Sequence, residues 1–142
     1  MGTNADTVRK IEEAWDSGRL DELDQHFVPD FDNSASAAPG VPLGLEGAKM
    51  VHQGVMQGFP DRKVEILDIA EEGDRVFVRT RVSGTNTGGF QLFNVPGNGN
   101  AFQIDAWSLY RFNDEGKVVA HWGINDALSL GIQLGAFPAP GA

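Results

Sequence analysis

Three titratable side chains in the C-terminal third of this 142-residue sequence, Asp105, His121 and Asp126, are the first candidates for chemistry. Asp126 follows an aromatic, apolar run and precedes an apolar tail. Apolar surroundings disfavour the charged form of a carboxylate, so the pKa of Asp126 could rise toward the range that suits a general base. The same position also suits an N-cap of the turn that follows. Asp126 is therefore predicted either to transfer protons or to cap a helix.

Asp105 and His121 lie on two predicted strands that flank a turn at residues 113–116. If these strands pair about a four-residue loop, Asp105 shares one face with two indoles and Asp126, because directly opposed residues share a face. A slip of one residue would bring His121 to that face instead. The two side chains are thus alternatives as much as partners, and each also suits a purely structural role. The predicted opposed pairs are Asp105 with Ile124, Trp107 with Trp122 and Gln103 with Asp126.

Two carboxylates and two indoles on one face are an unusual core filling, but they suit a flat polycyclic ligand. His52 belongs to a predicted helix whose apolar face includes Met56 and Phe59, so it could project into the same hollow. Alternatively, His52 has a structural role at the boundary of the hydrophobic core. The predicted substrate-binding residues are Trp107, Trp122, His52, Met56, Phe59 and Asn125.

The elements that position these residues change character along the chain. Helical spacing of apolar residues predicts helices at 7–17, 20–27 and 45–59, with a Pro- and Gly-rich loop at 34–44. From Arg62 onward, alternation predicts about four antiparallel strands and then a short helical turn. This segregation predicts one α+β domain over residues 1–142, in which a strongly curved antiparallel sheet wraps around about three N-terminal helices. An apolar cavity between the layers would be a natural small-molecule site.

Composition excludes several functions. The net charge of −9 and pI of about 4.6 disfavour nucleic-acid and anionic-membrane partners. The absence of Cys excludes disulfides and thiolate chemistry. No run approaches the length of a membrane span and no signal-peptide core precedes the first helix, so the predicted location is the cytoplasm. Metal-ligand and nucleotide-binding motifs are also missing, which predicts proton transfer with no metal and no cofactor.

Short motifs spread over residues 7–136 carry a family resemblance. The C-terminal ones are Gly116–Val119, His121-Trp122, Asp126 and Gln133–Gly135, and the earlier ones are Phe59–Asp61, Glu72–Val76 and Gly84-Thr85 with Gly88. Together they resemble the SnoaL-like polyketide cyclases. These belong to the cone-shaped α+β superfamily that includes ketosteroid isomerase, scytalone dehydratase and nuclear transport factor two.

The resemblance implies a cofactor-free enzyme that closes a ring in an aromatic polyketide intermediate by an intramolecular aldol reaction. Asp126 matches the family's acid/base aspartate. The family's usual His is replaced by Ser108, and its charged run by Trp122–Asn125, so a cofactor-independent hydroxylase on the same scaffold is the alternative. A non-catalytic ligand-binding protein and an interaction module remain open too. An open curved sheet also predicts a homodimer or homotetramer.

Overall fold

The computed structural model describes residues 3–34 and 40–141. Within these ranges the α-helices are α1 (Asn4–Ser17), α2 (Leu45–Gly58) and α3 (Ala127–Leu134). The strands described are β1 (Phe27–Asp32), β2 (Lys63–Glu72), β3 (Arg75–Thr85), β4 (Ala101–Phe112) and β5 (Val118–Asn125). They form one sheet in the order β1-β5-β4-β3-β2. The predicted α+β class is confirmed, and residues 35–39 of the predicted loop lie outside the described residues.

Helix α1 begins earlier than its apolar pattern predicts. Thr3 is the N-cap, and its hydroxyl accepts a hydrogen bond from the Asp6 backbone N–H at 3.0 Å. The Asp6 carboxylate in turn accepts one from the Thr3 N–H at 3.2 Å, which completes a capping box. Gly18, at φ 76°, ends the helix in a left-handed conformation. Asp6 therefore contributes to the cap from the first turn of the helix.

The predicted second helix is a short 3₁₀ segment, Leu20–Gln25, and the chain enters β1 directly after it. β1 lies at the edge of the sheet and runs parallel to β5, so the sheet is mixed and not antiparallel throughout. Pro29 lies within β1, where the edge position tolerates its missing N–H. The 3₁₀ segment has already ended at Gln25, before Pro29.

A bulge in β2 explains its irregular apolar spacing. Ile66 pairs with Thr80, whereas Asp68 pairs with Arg79, so one residue of β2 is left unpaired. This extra residue changes the alternation, and Ile66 and Ile69 both pack against the core under α1.

The β4–β5 hairpin differs from the predicted register by two residues. The turn is one residue tighter than assumed, since Asn113 N–H donates to the Lys117 carbonyl at 2.9 Å. A bulge then adds a second residue, because Arg111 pairs with Ala120 while Phe112 pairs with Val118. Trp107 consequently lies opposite Ile124 and Leu109 opposite Trp122. The predicted pairs are wrong, although a shift of two residues keeps the same residues together on one face.

The sheet has an inner face, turned toward α1 and α2, and an outer face turned away from them. The main core joins Val8 and Ile11 of α1 to Val76, Val78 and other inner-face residues. A second core under α3 joins buried apolar side chains from the far end of the sheet: Phe59, Val82, Phe102, Ile104, Leu130 and Leu134. The two cores flank a hollow between sheet and helices.

The loop between β3 and β4 is ordered by asparagines. Asn86 is fully buried, and its amide donates to the Pro96 carbonyl at 3.0 Å while its Oδ1 accepts from the Gly89 N–H at 2.9 Å. Asn98 donates to the Leu134 carbonyl at 2.9 Å, which ties the loop to the end of α3. Of the described residues, none forms a helix long and apolar enough to cross a membrane.

Candidate functional site

A central cavity of about 600 Å³ lies between the inner face of the sheet and the helices. Its walls come from α1, β1, α2, the segment before β2, and the adjoining parts of β4 and β5. The volume lies in the range that encloses small-molecule ligands. Its lining is mostly apolar and aromatic, with a small set of polar groups: Glu12, Asn33, His52, Arg62, Ser108, Tyr110, His121 and Asn125.

Glu12 and Tyr110 form a hydrogen-bonded pair in the cavity wall. The Tyr110 hydroxyl donates to Glu12 Oε1 at 2.7 Å. Burial raises the pKa of Glu12, and this outweighs the opposing effect of the Tyr110 hydrogen bond. Burial together with the nearby Glu12 charge also raises the pKa of Tyr110 well above its usual range. Both shifts favour the protonated forms of Glu12 and Tyr110.

Arg62 lies next to this pair, just before β2. Its Nη1 atom is buried and has no hydrogen-bond partner among the described residues. Burial lowers the pKa of Arg62, while the charges of Glu12 and Asp16 oppose the shift. Asp16 is engaged elsewhere, since its carboxylate accepts a hydrogen bond from the Val64 N–H at 2.9 Å.

His52 projects from α2 into the cavity, as predicted from its place on the helix. Its Nε2–H donates to the Trp15 carbonyl at 2.7 Å, and its ring lies 4.8 Å from the Trp15 ring. Burial and the Arg62 charge lower the pKa of His52 to about 4. His52 is therefore neutral at pH 7, and its Nε2 atom is occupied by the hydrogen bond to Trp15.

His121 lies in the cavity wall on β5. Its ring packs against Tyr110 with ring centroids 4.7 Å apart. Burial lowers its pKa to about 4, so the imidazole is neutral at pH 7. Among the described residues, none forms a hydrogen bond with a ring nitrogen of His121.

Gly123 makes room for this imidazole. A Cβ atom at position 123 would lie 3.0 Å from His121 Cε1, 3.6 Å from His121 Nε2 and 3.7 Å from Ser108 Oγ. The glycine thus leaves space beside the Cε1–Nε2 edge of His121, and the Ser108 hydroxyl borders the same space. A neutral imidazole can accept a proton at one nitrogen and donate from the other, which suits it to acid/base work.

Asp126 occupies a different environment from the one predicted. It is the exposed N-cap of α3, and its Oδ1 accepts a hydrogen bond from the Ser129 N–H at 3.1 Å. It does not belong to the lining of the central cavity. The expected apolar surroundings are therefore wrong, because the strand ends at Asn125 and the chain turns outward into the helix.

Asp105, Trp107 and Trp122 do share a face, but it is the outer one. The Asp105 carboxylate accepts hydrogen bonds at 3.2 Å from both Arg79 and Arg81 of β3. Trp107 borders the mouth of the cavity but is 42% exposed, and the Arg79 guanidinium lies 5.6 Å from its ring. The expectation of cavity contacts is wrong for Asp105 and Trp122, because residues of the opposite parity on β4 and β5 face the helices, whereas Trp107 contributes to the cavity rim.

Four of the predicted site residues nevertheless gather in one place. A second depression, of about 390 Å³, is lined by Asp105, Trp107, Ile124, Asn125 and Asp126. It lies at the edge of the outer face, where Ile124 is 70% exposed.

The other predicted ligand contacts divide between cavity and core. Asn125 lies at the cavity mouth and is exposed. Phe59 is buried in the second core, where its ring centroid lies 4.7 Å from that of Phe102. Met56 is partly buried and, like Phe59, lies outside the cavity lining, so the prediction of pocket contacts is wrong for both.

The sequence interpretation missed Glu12, Arg62 and Tyr110. Glu12 follows Val8 by four residues and precedes Trp15 by three, so helical spacing alone places it on the apolar face of α1. Tyr110 could have been found once the inner parity of β4 was known. Arg62 carries no comparable signal, since it follows a Phe-Pro-Asp break with no periodicity.

Metal coordination finds no support in residues 3–34 and 40–141. No group of three His, Cys, Asp or Glu side chains there is arranged to hold a metal ion.

Comparison with known families gives one extensive match. The family model for SnoaL-like polyketide cyclases matches residues 5–134. Comparison with curated proteins gives no match.

Solved structures of similar fold include three from Streptomyces species. TsrD from Streptomyces laurentii is 25% identical with a TM-score of 0.80, and the alignment covers 92% of each chain. IdmH from Streptomyces antibioticus, a candidate polyketide cyclase, is 33% identical with a TM-score of 0.79, covering 94% of this chain and 99% of IdmH. AclR from Streptomyces galilaeus, a candidate hydroxylase, is 27% identical with a TM-score of 0.77, covering 93% of this chain and 80% of AclR.

Proposed function

We propose that this chain, which belongs to the SnoaL-like polyketide cyclase family, catalyses an intramolecular aldol closure in an aromatic polyketide intermediate. His121 is the proposed acid/base residue, in place of Asp126. The observation that carries the proposal is a neutral imidazole with an unengaged edge in the wall of a largely apolar cavity of about 600 Å³. A cavity of that size suits a substrate of about three fused rings.

In the proposed reaction His121 first takes a proton from the carbon next to the substrate's ester carbonyl. The resulting enolate and the imidazolium form a close pair of opposite charges, which is favourable where water is excluded. The enolate carbon then attacks a ketone carbon of the same molecule. Finally His121 returns the proton to the new alkoxide, so the reaction is a net isomerisation and regenerates the enzyme.

The substrate's conjugated rings support a mechanism without a metal or organic cofactor. An extended ring system spreads the enolate charge, so less stabilisation is required from the protein. The cavity walls hold the reacting carbon close to the ketone, and such positioning can supply a large part of the rate enhancement. Ser108, whose hydroxyl borders the space over Gly123 together with the His121 imidazole, is the proposed hydrogen-bond donor to the enolate oxygen.

The decisive experiment is turnover of a tricyclic aromatic keto ester whose ester α-carbon can reach its own ketone. We expect wild-type protein to give a product of unchanged mass and His121→Asn to lower kcat by about a hundredfold or more, as loss of a general acid/base does. His26→Asn is the matched control, because His26 lies outside the cavity. Wild-type kcat in His121→Asn would show that another residue transfers the proton.

A hydroxylase is the second candidate, because AclR, a candidate hydroxylase, has the same fold at 27% identity. Product mass separates the two reactions, since closure leaves the mass unchanged and hydroxylation adds one oxygen atom. Binding of the keto ester with no product of either mass would instead support a ligand-binding protein.

A further inference from the structure

Arg62 is a cation in the cavity wall without an ionic partner. No carboxylate of the described residues lies within salt-bridge distance of its guanidinium, although five other basic side chains form at least one salt bridge: Arg19, Lys49, Arg75, Arg79 and Arg81. Its Nη1 is also buried with no hydrogen-bond partner. An unpaired buried charge is costly, so such a group usually has a partner that arrives from outside the chain.

The two carboxylates whose charges act on Arg62 are both engaged. Glu12 accepts the Tyr110 hydroxyl at 2.7 Å, and Asp16 accepts the Val64 N–H at 2.9 Å. The fork of N–H groups on a guanidinium matches the two oxygens of a carboxylate, which a neutral carbonyl cannot do. In a chain of net charge −9, a single unpaired cation in the cavity is a local exception that would select for an anion.

We infer that Arg62 binds a carboxylate of the ligand, so that the natural substrate carries a free carboxylate in addition to its reacting ester and ketone. This inference rests on the proposed function for the identity of the reacting groups, but the binding site itself does not depend on turnover. Tyr110 links the two regions, since its ring contacts His121 and its hydroxyl reaches Glu12 beside Arg62. A ligand held by Arg62 would therefore present its other groups along Tyr110 toward His121.

The raised pKa of Glu12 is consistent with an anionic ligand group beside it. Burial raises the pKa of the Glu12 carboxyl, and a second anion beside it would raise that pKa further. Uptake of a proton by Glu12 on ligand binding would remove the repulsion between the two carboxyl groups and leave Arg62 to the ligand.

The test compares two fluorescent probes of one shape, anthracene-2-carboxylate and the neutral anthracene-2-carboxamide. We expect wild-type protein at pH 7.5 to bind the carboxylate about tenfold or more tightly, as charge-assisted hydrogen bonds do. Arg62→Met should remove this preference to within about twofold. Arg75→Met is the control, because Arg75 is half-exposed beside Trp122 on the outer face, and it should leave the preference unchanged.

Three results would contradict the assignment of Arg62 as a carboxylate-binding residue. Equal affinity for both probes in the wild type, no binding of the carboxylate at millimolar concentration, or an unchanged preference in Arg62→Met would each overturn the inference. If Arg62→Met fails to fold by circular dichroism, Arg62→Lys replaces it and should keep only part of the preference, because Lys offers a point charge without the fork. A carboxylate preference without closure activity would leave the inference standing and the proposed function overturned; closure without the preference would do the reverse.

Discussion

At the scale of single residues, the chemistry of the cavity depends on the absence of a side chain. Gly123 lies two residues after His121 on β5, and a Cβ there would approach the imidazole to 3.0 Å. That distance is shorter than ordinary van der Waals contact, so the ring would have to move.

We expect Gly123→Ala to lower kcat of the closure reaction by about tenfold, because small displacements of a reacting group are costly. The expected loss of stability is about 1 kcal/mol from overpacking. Gly54→Ala on α2 is the matched control, since nothing lies within 4 Å of the added methyl group. It should leave kcat unchanged and raise stability by about 0.5–1 kcal/mol, because Ala is the better helix former. Urea unfolding and steady-state kinetics measure both, and an unchanged kcat in Gly123→Ala would contradict the role of the free imidazole edge.

The buried histidines make a second prediction at this scale. Burial lowers the pKa of both His52 and His121 to about 4, below the unfolded value of about 6.5. Between these values the unfolded chain binds more protons than the folded one, so stability falls as the pH drops through this window. Glu12 acts in the opposite sense, because its raised pKa favours folding at low pH.

We expect each of the two histidines to cost about 1–2 kcal/mol of stability between pH 7 and pH 5. Urea unfolding of His121→Asn should show a pH dependence smaller by that amount. An identical pH dependence in wild type and variant would mean that His121 is not buried in its neutral form.

At the scale of elements, the β4–β5 hairpin decides which side chains reach the cavity. The turn at Asn113 is tighter than four residues, and the bulge after it adds a further residue to the register. Neither feature has an unambiguous mark in the sequence, because both Gly116 and the polar run before it suit several turn lengths. The alternation of β4 is also ambiguous, since both parities contain aromatic residues.

The position of Asp126 is explained by the helix that follows it, without a catalytic role. Its carboxylate caps α3, whose Leu130 and Leu134 are buried in the second core. We expect Asp126→Ala to cost about 1 kcal/mol of stability by loss of the cap, and Asp126→Asn to cost less because an amide oxygen can still accept the Ser129 N–H. Thermal unfolding measures the first effect, and kcat should stay at the wild-type value in both variants. Loss of turnover in a stably folded Asp126→Asn protein would restore Asp126 as the acid/base residue.

At the scale of the whole molecule, the outer face of the sheet exposes enough apolar side chains to favour burial in a subunit interface. Phe77 and Trp107 are 39% and 42% exposed, with ring centroids 5.8 Å apart, and Ile124 is 70% exposed. Arginines and aspartates lie among these apolar residues. In a two-fold interface, an arginine of one subunit can pair with an aspartate of the other, and the reverse pair forms by symmetry. The homodimer or homotetramer expected from the sequence stays a prediction.

Analytical ultracentrifugation tests the predicted oligomeric state. We expect the wild type to sediment as a dimer or tetramer and Ile124→Lys to shift it toward monomer, because the new charge would be buried in the interface. Leu92→Lys, at a similarly exposed site away from the sheet, should have no effect. A monomeric wild type would contradict the prediction.

The sequence by itself determined the α+β class, the family and much of the helical pattern. These depend on local periodicity and on short motifs that a chain carries whatever its tertiary contacts. His52 was also within its reach as a candidate, because helical spacing places it near an apolar face, whereas His121 entered the predicted site only as the alternative if the strand register slipped by one residue. What periodicity could not determine was which face of the hairpin meets the helices.

Only the tertiary structure decided that question, and with it the composition of the cavity. Packing buries the face that carries Tyr110 and His121, and this turns Asp105, Trp107 and Trp122 outward. It also brings Glu12 next to both Tyr110 and Arg62, although Glu12 and Arg62 are fifty residues apart in the sequence. Such long-range neighbours are selected by the burial free energy of the whole core, and no short stretch of sequence contains that quantity.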